Sequence, residues 1–212
     1  MHQDSNTLDP YPILRVVNIL LLSPSPEKLL PCILSVEDKI FLSNESLEPK
    51  YVEEKQIDVL ISYNYRYIIK QDVLESLNSR AYNLHTSLLP LNRGAHPVLW
   101  SILERTPLGV TIHKIDKGLD TGPILFQKQL LDPNEHHSLR YVYEMTNQAL
   151  IELFYQNWLN IKTGKYSLEK QSGPVSSHKS TEANLFLSRL NQSWDTSIME
   201  ARLEYIKFLA QK

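Results

Sequence analysis

Asn83 and His85 stand two residues apart in the segment Ala81 to Thr86, which reads as a β-strand. Alternate residues of a strand share a face, so the amide and the imidazole project together. Leu88-Leu89-Pro90 follows directly and stops the strand. In an open α/β sheet, ligands bind beyond the carboxyl ends of the strands, so this pair falls where a site belongs. Asp120 lies in the turn Gly118-Leu119-Asp120-Thr121-Gly122, between two segments expected to form the neighbouring hairpin. An amide, an imidazole and a carboxylate at one sheet edge suit acyl transfer. The amide would donate to an oxyanion, the imidazole would move a proton, and the carboxylate would orient the imidazole. Each residue also has a plainer reading. Asn83 can satisfy a neighbouring backbone, His85 can be a hydrogen-bonded core histidine, and an Asp between glycines suits any turn. Spacing alone leaves both readings open.

The elements that must position these residues follow from periodicity. Ile13 to Leu22 is rich in aliphatic residues, as expected of a strand covered on both faces. Ser23-Pro24-Ser25-Pro26 stops it, and a short helix is expected from Glu27 to Ser35 with Ser25 as its cap. Strands are expected at Lys39 to Leu42 and Gln56 to Tyr63, and a helix at Lys70 to Asn78. After the Asn-x-His strand come a helix at Ala95 to Glu104 and strands at Gly109 to Ile115 and Ile124 to Leu130. From Ser138, apolar residues recur at three-and-four spacing and specify one long amphipathic helix ending near Gly164. Lys170 to Lys179 reads as a polar loop. Ser197 and Glu200 form a capping-box pair opening a last helix to about Leu209. The alternation predicts an α/β, Rossmann-like three-layer sandwich with a mostly parallel sheet. Residues 1–165 read as the catalytic domain and 166–212 as a C-terminal loop and helical extension.

Composition removes several classes. A chain of 212 residues fits one domain with a small appendage. It has six glycines, none before Gly94, so its first half offers neither a G-x-G-x-x-G turn nor a P-loop. The net charge is −2 and no two Lys or Arg residues are adjacent, which argues against nucleic acid. The one cysteine, Cys32, excludes an internal disulfide and suits a reducing compartment. Cys32 and His113 read as structural. His136 and His137 are adjacent, lack metal-ligand spacing and read as helix-entry surface, so no metal is expected. Ile19 to Leu22 is too short an apolar run to span a bilayer, and the loose, polar Met1 to Tyr11 does not resemble a signal peptide. A soluble cytoplasmic protein, without a membrane partner, is the expectation.

The exact string carries more than its spacing. Asn83-Leu84-His85 runs into Ser87-Leu88-Leu89-Pro90, then Asn92-Arg93-Gly94, Gly109-Val110-Thr111-Ile112-His113 and Gly118 to Gly122. In that order these motifs resemble the N10-formyltetrahydrofolate-dependent formyltransferases, the match covering Asp58 to Gln127. The resemblance implies that Asn83, His85 and Asp120 are catalytic. It also implies attack of a primary amine on the formyl carbon of N10-formyltetrahydrofolate, a co-substrate, without a metal. It makes His85 the proton shuttle and Asn83 the donor to the oxyanion, with Asp120 orienting the imidazole and helping to order water. The same resemblance puts the pterin against the segment after the third strand, with Tyr65, Tyr67, Ile68 and Ile69 lining its pocket. The Asp116 to Asp120 loop, with Gly118 and Leu119, would close the other side. The plainer reading makes Ile68 and Ile69 helix-start core and the two tyrosines surface residues.

The acceptor is weighed by subfamily. Methionyl-tRNA formyltransferases carry a second, basic C-terminal domain, which the residues after the long helix do not resemble. Glycinamide ribonucleotide formyltransferases bind phosphate with a glycine-containing loop where this chain has Ser23-Pro24-Ser25-Pro26. Formyltetrahydrofolate hydrolases carry an N-terminal regulatory domain. The wording Ser62-Tyr63-Asn64-Tyr65 and Asn92 to Pro97 most resembles the bacterial amino-sugar N-formyltransferases. They act on nucleotide-linked amino-dideoxy sugars or on precursors of surface sugars such as pseudaminic acid. Such proteins are commonly homodimers. Arg93 and His96 would contact the sugar or its diphosphate; equally, Arg93 can pin its loop and His96 can cap a helix. Ribonucleotide formylation, or a silent folate- or sugar-binding relative, is the alternative.

Overall fold

The computed structural model describes residues 16–35 and 37–211. The polar leader and residues 13–15 of the expected first strand lie outside them. Strand β1 (Asn18–Leu22) alternates between two cores: Ile19 and Leu21 enter one layer, Leu20 and Leu22 the other. Because both faces are covered, the run is continuously apolar. The expected helix over 27–35 is instead a single 3-10 turn, Pro26–Lys28, and a short α1 (Leu30–Ile33). Pro31 accounts for the break: its ring would clash with the carbonyl four residues back, and it has no N–H to donate. Ser25 makes no side-chain cap.

Strand β2 (Lys39–Ser43) precedes α2 (Pro49–Glu54), a helix not expected from the sequence pattern. Its Pro49 occupies the first turn, where a missing N–H costs nothing. Then come β3 (Val59–Tyr63), α3 (Gln71–Ser76), β4 (Ala81–His85) and a two-residue strand β5 (Arg93–Gly94). Helix α4 (Pro97–Leu103) starts two residues later than expected because His96 is left-handed, at φ 54°. Strands β6 (Gly109–Lys114) and β7 (Ile124–Gln129) lead to the long α5 (Leu139–Thr163). Ser138 caps α5 by accepting from the Tyr141 N–H, and left-handed Gly164 ends it.

The expected loop after α5 contains a short strand, β8 (Ser177–His178), followed by α6 (Ser180–Leu187) and α7 (Ile198–Leu209). The Ser197–Glu200 capping box at the start of α7 is present as expected. Six strands form one sheet in the order β2-β1-β3-β4-β6-β7. Strands β2, β1, β3 and β4 run parallel, and β6 is antiparallel to both its neighbours. Helices α1 and α5 cover one face through Ile33, Leu150, Phe154 and Trp158. Helices α2 and α3 cover the other through Val52, Val73 and Leu74. This is the mostly parallel three-layer sandwich anticipated. Helices α4, α6 and α7 share a further core, centred on Trp100, Phe186 and Phe208.

Candidate active site

The switch from parallel to antiparallel pairing at β4 brings the chemistry together. In the β4–β6 ladder Asn83 is paired with His113, and His85 with Thr111. Directly opposed residues of an antiparallel pair lie on the same face. His113, read as structural from the sequence, therefore joins the site. The β6–β7 turn then folds Asp120 back over this face, with Asp120 itself in the left-handed region at φ 53°.

The carboxylate is met from four directions. Its Oδ1 accepts from the Asn83 amide at 3.1 Å and lies 3.5 Å from His113 Nε2. Its Oδ2 accepts from the Gly94 N–H at 2.8 Å and lies 3.7 Å from His85 Nδ1. The side chains of His85 and Asp120 are only 7% and 10% exposed. Sequence reasoning thus predicts three residues that the fold does bring into one enclosed group.

Proton positions follow from the partners. His85 Nε2 lies 3.0 Å from the Asn92 carbonyl, which can only accept, so Nε2 carries a proton. Nδ1 is then the ring nitrogen with a free lone pair, and it faces Asp120. His113 Nδ1 likewise donates to the Lys114 carbonyl at 2.7 Å, leaving Nε2 to accept from Asn83 at 3.3 Å. Both hydrogens of the Asn83 amide therefore have internal acceptors.

Burial pushes the His85 imidazolium down, against the opposing pull of Asp120. Burial also opposes the charge on Asp120, but His85, His113 and the Gly94 N–H together hold its carboxyl well below the usual carboxylate range. The resting pair is a neutral imidazole beside an ionised carboxylate. The Gly94 and Asn83 donors hold that carboxylate without needing a charged His85.

The remaining predicted residues are placed more loosely. Tyr65 and Tyr67 are half-buried with rings 5.5 Å apart; Tyr65 donates to the Glu45 carbonyl and Arg66 lies over the Tyr67 ring. Ile68 is 83% exposed, whereas Ile69 turns into the α3 core beside Val73. For Ile69 the plainer reading describes the side chain. Asp116 accepts from the Gly118 N–H and the Thr121 hydroxyl, so its carboxylate organises its own turn. Leu119 is exposed and lies against Gly94. Ile68 and Leu119 are exposed, and the two tyrosine rings are tilted against each other at 55°.

Arg93 donates through Nε and Nη2 to Gln171 Oε1, pinning its loop. His96 makes no side-chain cap; its half-buried ring lies 6.0 Å from that of Trp194, and burial pushes its pKa down. Asn92, Gln171 and Ser176 had no role assigned from sequence, yet all contact the site's framework. Among the described residues no His, Cys, Asp and Glu side chains gather as a metal site. Two cavities of about 320 and 300 Å³ lie elsewhere, around Arg105 and Arg202 and around Arg189 and Lys207. Neither contains a candidate residue, and the buried polar convergence is the better guide to chemistry.

The family model described as formyl transferase matches residues 35–151, more than half of the chain, and the chain belongs to that family of enzymes. The methionyl-tRNA formyltransferase of Thermotoga maritima is 37% identical over 141 residues, which are 62% of this chain and 43% of that protein. The chain thus spans somewhat under half the length of these curated relatives. The crystal structure of the formyltransferase PseJ from Anoxybacillus kamchatkensis is 40% identical with a TM-score of 0.80. That likeness covers 87% of this chain and 97% of PseJ, which was solved in complex with UDP-4,6-dideoxy-4-formamido-L-AltNAc and tetrahydrofolate. A likely sugar N-formyltransferase from Mycobacterium tuberculosis shares the fold at 22% identity and TM-score 0.73, covering 90% of this chain and 87% of that one.

Proposed function

We propose that this protein transfers the formyl group of N10-formyltetrahydrofolate to the primary amine of a nucleotide-linked amino-dideoxy sugar in surface-glycan biosynthesis. The observation that carries this reading is the likeness to PseJ over nearly all of that chain, since the PseJ complex holds a formamido sugar nucleotide and tetrahydrofolate. The glycine-free Ser23 to Pro26 turn after β1 supports an acceptor other than glycinamide ribonucleotide. The lone cysteine and the absence of adjacent basic residues suit a cytoplasmic enzyme acting on a small molecule rather than on tRNA.

The chain's own groups supply the steps. The amine lone pair attacks the formyl carbon, the C–N bond forms, and the carbonyl π electrons move to oxygen. Asn83 donates to this oxyanion by releasing His113, the longer of its two internal bonds. One well-placed donor is worth about 10²–10³ in rate. His85 accepts the amine proton at Nδ1, where the new imidazolium becomes an ion pair with Asp120. The oxyanion collapses, the bond from the formyl carbon to N10 breaks, and His85 returns the proton to N10. A positioned base contributes about 10²–10⁴-fold. Tyr65, Tyr67, Ile68 and Leu119 are the side chains assigned to the pterin, with Ile69, Asp116 and Gly118 holding the backbone of its walls. Arg93 and His96 border the acceptor side, and a homodimer is the assembly proposed.

The test incubates the protein with N10-formyltetrahydrofolate and a panel of amines, following tetrahydrofolate release. Turnover is expected with a UDP-linked 4-amino-4,6-dideoxy sugar. Turnover of glycinamide ribonucleotide or methionyl-tRNA alone would overturn the acceptor. Binding of both ligands without any transfer would make the protein the silent relative.

A further inference from the structure

Residues 92–96 and the turn at Asp120 are held in unusual backbone conformations. Asn92, Gly94, His96 and Asp120 all have positive φ, at 56°, 90°, 54° and 53°. A non-glycine residue in this region persists where its surroundings over-determine it. The surroundings here come from a segment well outside the Asn-x-His and Asp120 motifs, the stretch between α5 and α6.

Gln171 binds on both sides of the site. Its Oε1 accepts the two Arg93 N–H groups at 3.2 and 2.7 Å. Its Nε2 donates to the carbonyls of Asp120 at 2.8 Å and Gly122 at 2.7 Å. One side chain thus clamps the residue before Gly94 to the turn that carries the carboxylate. The clamp sets the approach of the Gly94 N–H to Asp120 Oδ2.

Ser176 braces the other partner. Its hydroxyl accepts from the Asn92 N–H at 2.8 Å and donates to Asn92 Oδ1 at 3.1 Å. The Asn92 carbonyl in turn holds His85 Nε2. On either side of the two braces, the segment is anchored to the body of the fold. Glu169 bridges to Ile124, β8 pairs in parallel with β5, and the His178 ring stacks on Trp100 at 4.2 Å.

We propose that residues 169–178 form a strap that sets the His85–Asp120 geometry, with Gln171 and Ser176 as positioning residues. Neither touches the reacting atoms; each acts through a backbone group that holds one member of the pair. The proposal rests on the formyl-transfer reading for its kinetic consequence, but not for its structural one. The groups facing His85 are Asp120 from the β6–β7 turn, His113 from β6 and the Asn92 carbonyl, so loosening Asp120 removes the one anion beside the imidazole.

The discriminating variant is Gln171→Glu, which keeps the shape and the acceptors for Arg93 but cannot donate to the two carbonyls. Gln171→Met removes both sets of bonds, and Ser176→Thr keeps the hydroxyl that Ser176→Ala removes. Two measurements are made on each full chain: kcat and KM with the sugar acceptor, and the titration of the His85 imidazole by NMR without substrates. The expected result for Gln171→Glu and Gln171→Met is a fall in kcat of about tenfold or more, as misplacement far from the chemistry can cost up to about 10²-fold. KM for the folate should stay within about threefold, and the His85 midpoint should move to lower pH in Gln171→Met. Ser176→Ala should lower kcat and Ser176→Thr restore it. An unchanged His85 midpoint and unchanged kcat in the folded Gln171 variants would overturn the strap. So would a loss of activity that only follows the folded fraction while the His85 midpoint stays put. If the wild-type chain formylates no amine, the functional reading fails, and the His85 titration alone then decides the strap.

Discussion

The two halves of the sheet are built by different rules. In the half formed by β2, β1 and β3, all pairing is parallel and β1 and β3 are filled with aliphatic side chains. In the half around β4 and β6, pairing is antiparallel, polar groups are buried, and Asn92, Gly94, His96 and Asp120 near the site are left-handed. The first half gains stability from removing apolar surface from water, which needs no particular orientation. The second holds an enclosed carboxylate and two imidazoles, tolerable because N–H donors meet the carboxylate and each ring N–H has a carbonyl acceptor. Left-handed residues flank β3 as well, at Gln56 and Asn64, so the two halves differ in pairing and in buried polarity rather than in strain.

Substitutions can break this division or sharpen it. The largest effect is expected at His85: His85→Asn should lower the transfer rate by about 10²–10⁴, or about 3–5 kcal/mol of barrier, in single-turnover assays. Melting temperature should fall less than for truncation of an aliphatic core residue, because the loss is of one buried hydrogen bond rather than of apolar burial. Leu21→Ala in β1 should do the reverse. It should cost about 2–5 kcal/mol in urea unfolding, while activity per folded molecule stays close to wild type. If Leu21→Ala were instead to inactivate a fully folded protein, the division would fail.

Gly94→Ala tests where the halves meet the strap. A left-handed backbone costs a non-glycine residue about 1–2 kcal/mol, and the added Cβ would also strike the His178 carbonyl. Both the melting temperature and kcat should drop, because the Gly94 N–H also serves Asp120.

Acid should act on the site's half in two windows. The His85 pKa is lowered in the folded state, so the unfolded chain binds a proton first. Stability from this source is full above the ordinary histidine value of 6.5 and declines as pH falls below it. Half-buried His96, also pushed down, adds in the same direction. The Asp120 contribution remains until the pH falls below the ordinary carboxylate value of 3.8. Between pH 7 and 5 the melting temperature of the wild type should therefore fall more steeply than that of His85→Asn.

The smallest effect is expected far from both halves. Ser197→Ala removes the capping box of α7 and should cost about 1 kcal/mol without altering turnover.

Much of the fold was legible because its signals are local. The long helix announced both ends, through the Ser138 cap and Gly164, and its apolar spacing matched the face that packs on the sheet. The buried strands showed as short aliphatic runs. What was missed is equally instructive. The apolar pattern over 27–35 overstates the helix because Pro31 breaks it, and α2 leaves little signal because six residues carry little periodicity. Asn83, His85 and Asp120 were legible as a group. His113 was not, although it faces Asn83, because the β4–β6 register is a property of pairing rather than of either strand. Gln171 lies 51 residues from Asp120 in the chain, in a stretch without hydrophobic pattern, and no local rule points from one to the other.

Through its resemblance to a known family the sequence singled out Asn83, His85 and Asp120; by itself it determined the layered α/β class, the covered strands and the capped long helix. Those properties depend on side-chain type and on the fixed periods of helix and strand, which act over a few residues. The tertiary structure alone decided that Asp120 meets Asn83, His85 and His113 within one enclosure, and that it is buried yet ionised. It alone decided that a segment after the long helix clasps the site. Hydrogen bonds are short and directional, so such an arrangement exists only once distant parts of the chain have been brought to within about 3 Å of each other.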